Sequence, residues 1–213
     1  MKRILAVIAA IACAACLFAG CQPADPSAGN EGGGTENPYA QATNLVENGY
    51  YYMGDFETQE QCMQLKLTNN FGKTSLNTDK TYVTHGEGSL KMEILGKEET
   101  WGKGRPGVTV SCSGAYFQKT DFSDCSAICF DLYNTLDREV NVDLRPYPLW
   151  ETSFTIWMEP GWNHVEFSTE NFFYPHNNEF YDDEINQFSL VFPRGDGVTL
   201  SVFYLDNFRA KLK

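Results

Sequence analysis

The sequence predicts an all-β protein: an antiparallel β-sandwich, built as a single domain behind an export segment and a disordered linker. Two observations carry this reading. Residues 121–167 alternate apolar and polar side chains at a period of two through four short runs, the spacing of half-buried strands. The chain from Asn44 onward is also broken repeatedly by Gly, Pro and Asn, and no long segment has a helical period.

Taken in order, residues 1–21 form a short basic start followed by a small-residued apolar run, which reads as a secretory signal and not as a membrane span. Its end, Leu17-Phe18-Ala19-Gly20-Cys21, resembles the lipobox of bacterial lipoproteins, in which the Cys is lipidated and becomes the mature N-terminus. Phe18 departs from that pattern, and Cys16 is a rival site. The expectation is a lipoprotein on the extracytoplasmic face of the cell membrane, held by acyl chains alone. Residues 22–43 are Gly, Pro, Ser, Asn and Glu with little to bury, so they read as a disordered stalk. Residues 44–213 are the folded part.

Within it, strands are expected near Met53–Glu57, Met63–Thr68, Lys73–Leu76, Ser89–Ile94 and Gly107–Ser111. Leu45–Tyr52 and Thr58–Leu65 compete as a turn or two of helix. In the central stretch Ile128, Phe130 and Leu132 alternate with Cys129 and Asp131. Val140, Val142 and Leu144 alternate with Asn141, Asp143 and Arg145, and Phe154, Ile156 and Met158 with Ser153, Thr155 and Trp157. A fourth run opens at Trp162, with Val165 and Phe167 inside, and Trp162 after Gly161 reads as core. Together these runs suggest a sheet with one buried face and one polar face. The last strands are expected at Gln187–Phe192 and Thr199–Arg209.

Apolar residues make up 42% of the 213 and aromatics 14%, enough for one core and rich enough for a β-protein or a binding surface. The formal charge of −12 repels phosphate backbones and argues against nucleic acid as a partner. Charge also argues against docking on anionic lipid, which leaves the anchor as the membrane contact.

Several motifs then appear in a fixed order. Asp55-Phe56-Glu57 is followed by His85-Gly86-Glu87-Gly88-Ser89-Leu90-Lys91, and Asp121-Phe122-Ser123-Asp124 leads into Phe130-Asp131-Leu132-Tyr133-Asn134. Gly161-Trp162-Asn163 leads into Val165-Glu166-Phe167, and the chain closes on Phe203-Tyr204-Leu205-Asp206-Asn207-Phe208. In that order and spacing the set resembles jelly-roll carbohydrate-binding modules of the galactose-binding-domain-like kind, over residues 53–209. The resemblance implies a jelly roll and a carbohydrate ligand. It also implies a structural calcium ion between Glu57 and Asp206, with Gly86–Ser89 as the loop that supplies carbonyl oxygens; calcium takes six to eight oxygen ligands in loose geometry. The three histidines, at 85, 164 and 176, stand at no transition-metal spacing.

The residues themselves nominate a ligand face. Sugars present apolar C–H faces and rings of hydroxyls, which call for flat aromatics beside fork-like polar groups. Asp143, Arg145 and Tyr147 project from one strand, and Trp157 projects from the next. Trp150 lies in the loop between them, Trp101 in the Gly-rich loop TWGKGRPG, and Tyr174 and His176 in NFFYPHNN. A simple surface ion pair between Asp143 and Arg145 would account for the same letters. The function expected is glycan binding without cleavage. The alternatives are a protein-interaction or structural module at the cell surface, and a glycoside hydrolase or polysaccharide lyase with an unfamiliar carboxylate pair. No G-x-S-x-G elbow or H-E-x-x-H helix is present. Cys62, Cys112, Cys125 and Cys129 allow disulfides in an exported chain. Cys125 and Cys129 on one extended run would be about 13 Å apart and cannot bridge each other, so a Cys62–Cys112 pair competes with four buried thiols.

The lipobox reading has a direct test. Cys21→Ser should abolish incorporation of labelled fatty acid. Undiminished labelling would move the anchor to Cys16 or remove it.

Overall fold

The computed structural model describes residues 46–68, 71–95, 105–112, 119–147, 153–172, 184–193 and 200–213. Its strands are β1 (Val46–Glu47), β2 (Tyr50–Gly54), β3 (Gly72–Asn77), β4 (Ser89–Leu95), β5 (Gly107–Ser111) and β6 (Cys125–Asn134). They continue as β7 (Val140–Tyr147), β8 (Phe154–Met158), β9 (Gly161–Ser168), β10 (Gln187–Val191) and β11 (Leu200–Leu212), with one α-helix among the described residues, α1 (Gln59–Gln64), between β2 and β3. All strand pairs are antiparallel. A seven-stranded sheet joins β1, β2, β11, β4 and β3, with β6 on the other side of β11 and β9 beyond it. A four-stranded sheet runs β5-β10-β7-β8. The antiparallel β-sandwich expected from the alternation is the fold observed.

The alternation in residues 121–167 places each apolar set inward, but the four runs do not form one sheet. Strands β6 and β9 pair in the seven-stranded sheet, whereas β7 and β8 pair in the four-stranded one. Period-two patterning fixes which side of a strand is buried and is silent about which sheet it joins. Two asparagines hold the crossings. Buried Asn134 donates from Nδ2 to the carbonyls of Arg138 (2.9 Å) and Met158 (3.1 Å) and accepts from the Leu136 N–H (3.0 Å). Asn163 clasps both the N–H and the carbonyl of Glu159, at 2.9 and 2.8 Å, around the turn where Gly161 has φ 89°. Only a residue without Cβ adopts that conformation at no steric cost.

Two further expectations are corrected near the start. The strand expected at Met63–Thr68 is absent, and its first residues belong to α1. Thr58 caps that helix in a reciprocal box: its Oγ1 accepts from the Gln61 N–H (3.2 Å), and the Gln61 side chain accepts from the Thr58 N–H (3.0 Å). The strand expected over Met53–Glu57 ends instead at Gly54. Phe56 takes a positive φ of 54° and folds its ring back over Gly54, so closely that a Cβ there would lie 2.8 Å from the ring. That reversal buries Phe56 and delivers Glu57 to the loop beside Gly86.

The core lies between the sheets. Phe122, Phe172 and Phe208 surround Phe188 at centroid distances of 5.3, 6.0 and 6.0 Å, and Phe130 stacks on Phe208 at 5.6 Å. Strand β11 keeps its apolar side inward by a bulge. Phe203 and Leu205 are buried before it, and Phe208 and Ala210 after it. Asn207, at φ 55°, absorbs the extra residue.

Trp162 is not in this core. It shares parity with His164 and Glu166, the outward side of β9, while Val165 and Phe167 pack inward. Its ring packs edge-on against Tyr133 at 5.2 Å, and its Nε1–H donates to the Thr81 carbonyl at 3.3 Å.

Candidate functional site on the four-stranded sheet

Strands β5, β10, β7 and β8 each turn one side to the core through Val108 and Val110, Phe188 and Leu190, Val142 and Leu144, and Ile156 and Met158. Their other sides form one outer face. In register across it, Arg145 stands opposite Ser189, which in turn faces Thr109. Asp143 stands opposite Thr155, and Asn141 opposite Trp157. Four residues nominated from the sequence, Asp143, Arg145, Tyr147 and Trp157, therefore share this face. Trp157 is 62% exposed and Tyr147 41% exposed, whereas Asp143 is only 4% exposed. Trp101, Trp150, Tyr174, His176 and Cys21 lie outside the described residues.

Asp143 is more than half of a surface ion pair. One carboxylate oxygen accepts from the Thr155 hydroxyl at 2.9 Å. The other meets two guanidinium groups, Nη1 of Arg105 and Nη2 of Arg145, the latter at 3.3 Å. Burial pushes the carboxyl up, but the Thr155 hydrogen bond and the Arg105 charge, with help from Ser153 and Arg145, outweigh it and hold Asp143 below the usual carboxylate range. Arg105 is tied down by its other donors, Nε to the Phe192 carbonyl (3.1 Å) and Nη2 to the Val191 carbonyl (3.3 Å). Arg145 also donates from Nε to Ser153 Oγ at 3.2 Å. Thr109 and Ser189 exchange a hydroxyl hydrogen bond of 2.9 Å. The face thus offers a solvent-facing indole, a phenol, a fixed guanidinium and a floor of small hydroxyls. These groups can stack on an apolar ring face and hydrogen-bond to hydroxyls.

Sequence reasoning missed Arg105. It sits next to Pro106 at the end of a Gly-rich loop, with no alternation to reveal its direction, and its partners on β7 and β10 are remote in sequence. Thr109 and Ser189 were legible as outward residues but carried no chemical signal by themselves.

The residues expected to hold calcium do converge on one loop. Glu57 accepts from the Glu87 N–H with both oxygens, at 3.1 and 2.9 Å, and a Cβ at Gly86 would collide with it. Asp206 is fully buried; its Oδ2 accepts from the N–H groups of Thr84 (2.6 Å) and His85 (2.9 Å), and its Oδ1 from that of Asn207 (2.7 Å). These partners are donors. They suit carboxylate charge directly and turn positive ends towards the place a cation would need. Two buried atoms here lack partners, Asn207 Oδ1 and His85 Nδ1. Among the described residues no group of three or more His, Cys, Asp or Glu is arranged to hold a metal. In this structure both carboxylates are satisfied by N–H donors of the loop.

Cys62, Cys112, Cys125 and Cys129 are buried free thiols. Burial pushes Cys62 and Cys125 up to about 12, Cys129 to about 11 and Cys112 higher still, the opposite of an activated nucleophile.

No protein-family model and no curated protein matches the sequence. Solved structures do. The chain is similar to the family 11 carbohydrate-binding module of the cellulosomal cellulase Lic26A-Cel5E of Clostridium thermocellum, with TM-score 0.52 and 15% identity over 79% of this chain and 97% of that one. Weaker likenesses are a non-crystalline-cellulose-specific module, CBM28 (TM-score 0.47, 16% identity, 80% and 97% covered), and the xylan-binding domain from CBM 22 (TM-score 0.44, 16%, 78% and 97%). At this identity the first of these establishes the fold, and the fold alone.

The loop geometry predicts that a chelator leaves the melting temperature unchanged. Asp206→Ala strips three backbone N–H groups of their acceptor and should cost about 3 kcal/mol or more, lowering the melting temperature by roughly 6–12 °C. A fall in wild-type melting with chelator, reversed by calcium, would restore the metal.

Proposed function

We propose that this chain is a non-catalytic glycan-binding module, tethered to the extracytoplasmic face of the cell membrane by lipid on Cys21 and lifted from it by residues 22–43. One observation carries the reading: on the outer face of the four-stranded sheet, an exposed Trp157 and Tyr147 flank a rigid Asp143–Arg145 pair over a hydroxyl floor. An indole with more than half its surface in water contributes little to the fold. It is well placed to stack on a sugar ring, while the guanidinium and hydroxyls engage ring hydroxyls. The likeness of the fold to a carbohydrate-binding module agrees with this.

The same face argues against cleavage. Glycoside hydrolysis needs two carboxyl groups roughly 5–10 Å apart, one of them with a raised pKa. Asp143 is the only carboxylate among the described residues projecting from this side of β5, β10, β7 and β8, and its pKa is lowered. The buried pair Asp131 and Asp206 sits in the other sheet, each accepting hydrogen bonds from Thr84.

A glycan array probed with the full chain in detergent micelles tests the proposal. Trp157→Ala should weaken binding of the best glycan at least tenfold. It should leave the melting temperature within about 1–2 °C, because the side chain is mostly solvated. Unaltered affinity in Trp157→Ala would move binding off this face.

A further inference from the structure

Resting on the glycan-binding reading, we propose that the ligand is an anionic glycan, with a carboxylate or sulfate on its sugar rings, and that Arg145 reads the charge. The charges on the face do not cancel. Among the described residues Asp143 supplies the one negative charge on this face, and both its oxygens are engaged, by Thr155 on one side and by Arg105 and Arg145 on the other. Arg105 alone balances it. All three guanidinium nitrogens of Arg105 are committed, to Asp143 and to the carbonyls of Phe192 and Val191, so Arg105 is a fixture of the sheet. The Arg145 charge is left over.

Arg145 is also the guanidinium with donors to spare. Its Nε reaches Ser153 and its Nη2 reaches Asp143, and no described residue engages Nη1. Its side chain keeps 37% of its surface exposed. Asp143 and Ser153 hold the plane of the group, so its free edge is oriented before any ligand arrives. A fixed guanidinium edge matches the paired oxygens of a carboxylate or sulfate, and hydrogen bonds between charged partners are roughly twice as strong as neutral ones. Neighbouring groups suit the rest of a sugar: the Ser189 and Thr109 hydroxyls lie across the sheet from Arg145, and Tyr147 follows it along the strand.

The chain as a whole carries −12, which sets this cationic spot against the general field. At physiological ionic strength charges are screened beyond about 8 Å, so the acids of other faces do not reach a group in contact with Arg145. The result is selective. Anions are repelled by most of the surface and accepted at Arg145, whose charge no further described residue compensates.

Two matched pairs of polymers test this with the full chain in detergent micelles at about 0.15 M salt: polygalacturonate against its carboxyl-reduced form, and dextran sulfate against dextran. Wild type should bind the charged member of at least one pair roughly tenfold or more tightly, and the pair that responds identifies the anion. Arg145→Gln should erase that preference while the uncharged member of the pair still binds and the chain stays folded, with a melting temperature lowered by the lost contact to Asp143, and Arg145→Lys should retain part of the preference. Equal binding within both pairs, or a preference that survives Arg145→Gln, overturns the proposal. Strong binding to neutral polymers alone would overturn it while leaving the glycan-binding reading in place. Failure to bind any polymer or any member of the array would overturn both.

Discussion

Asp143 is a charge with almost no water around it, and the outer face of the four-stranded sheet is arranged to answer it. A buried carboxylate without partners costs several kcal/mol, and removing a partner from a buried pair typically costs about 3–5 kcal/mol. The answer here comes from three directions: Thr155 across the β7–β8 ladder, Arg145 two residues along β7, and Arg105 from the entrance to β5. In satisfying Asp143 these groups lose their freedom, and the face acquires fixed donors. Because its folded pKa is depressed, Asp143 contributes stability above the unfolded carboxylate value near 3.9, and that contribution is lost as pH falls through the lower folded value. The arrangement therefore holds across neutral and mildly acidic conditions.

The outer side of the seven-stranded sheet has the opposite character around β6, β9 and β11, where most polar and aromatic groups engage one another. Asp131 accepts from Thr84 Oγ1 (2.7 Å) and Asn207 Nδ2 (3.0 Å) and pairs with His164 Nδ1 (2.8 Å), while Asp206 holds the backbone of the same loop. Tyr82 lies flat on Tyr204 at 4.0 Å and meets Tyr133 edge-on, and Trp162 closes on Tyr133 from β9. The loop that carries Tyr82, Thr84 and His85 is thereby fastened over this face. Part of one face of the sandwich is covered by its own chain, and the other presents Trp157 and Tyr147 to solvent.

Much of this was legible in residue alternation. Strand positions from β3 onward and the outward direction of Asp143, Arg145 and Trp157 follow from a period of two, because one buried face imposes that period on every strand. The division of residues 121–167 between two sheets was not legible, since inward-facing residues look alike from either side of a core. Trp162 was misplaced because the Gly161 turn suggested burial, whereas its parity with His164 places it outside. Phe56 shows why the first strand was misjudged: its reversal depends on the gap above Gly54, a contact that no local pattern announces. Arg105 was hidden for the same reason, its direction being set by carbonyls at and just past the end of β10. Glu57 and Asp206 did meet at the expected loop, but whether a carboxylate faces N–H groups or a cation depends on peptide orientation, which residue types do not specify.

The two faces carry one tryptophan each among the described residues, and that makes the central claim measurable in a single spectrum. With residues 44–213 labelled by 15N and titrated with their best glycan from the array, the Trp157 indole N–H and the Arg145 Nε–H signals should shift. The Trp162 indole N–H, held by the Thr81 carbonyl on the opposite sheet, should stay in place. A titration that moves the Trp162 signal and leaves Trp157 and Arg145 unmoved would contradict the assignment of the binding face.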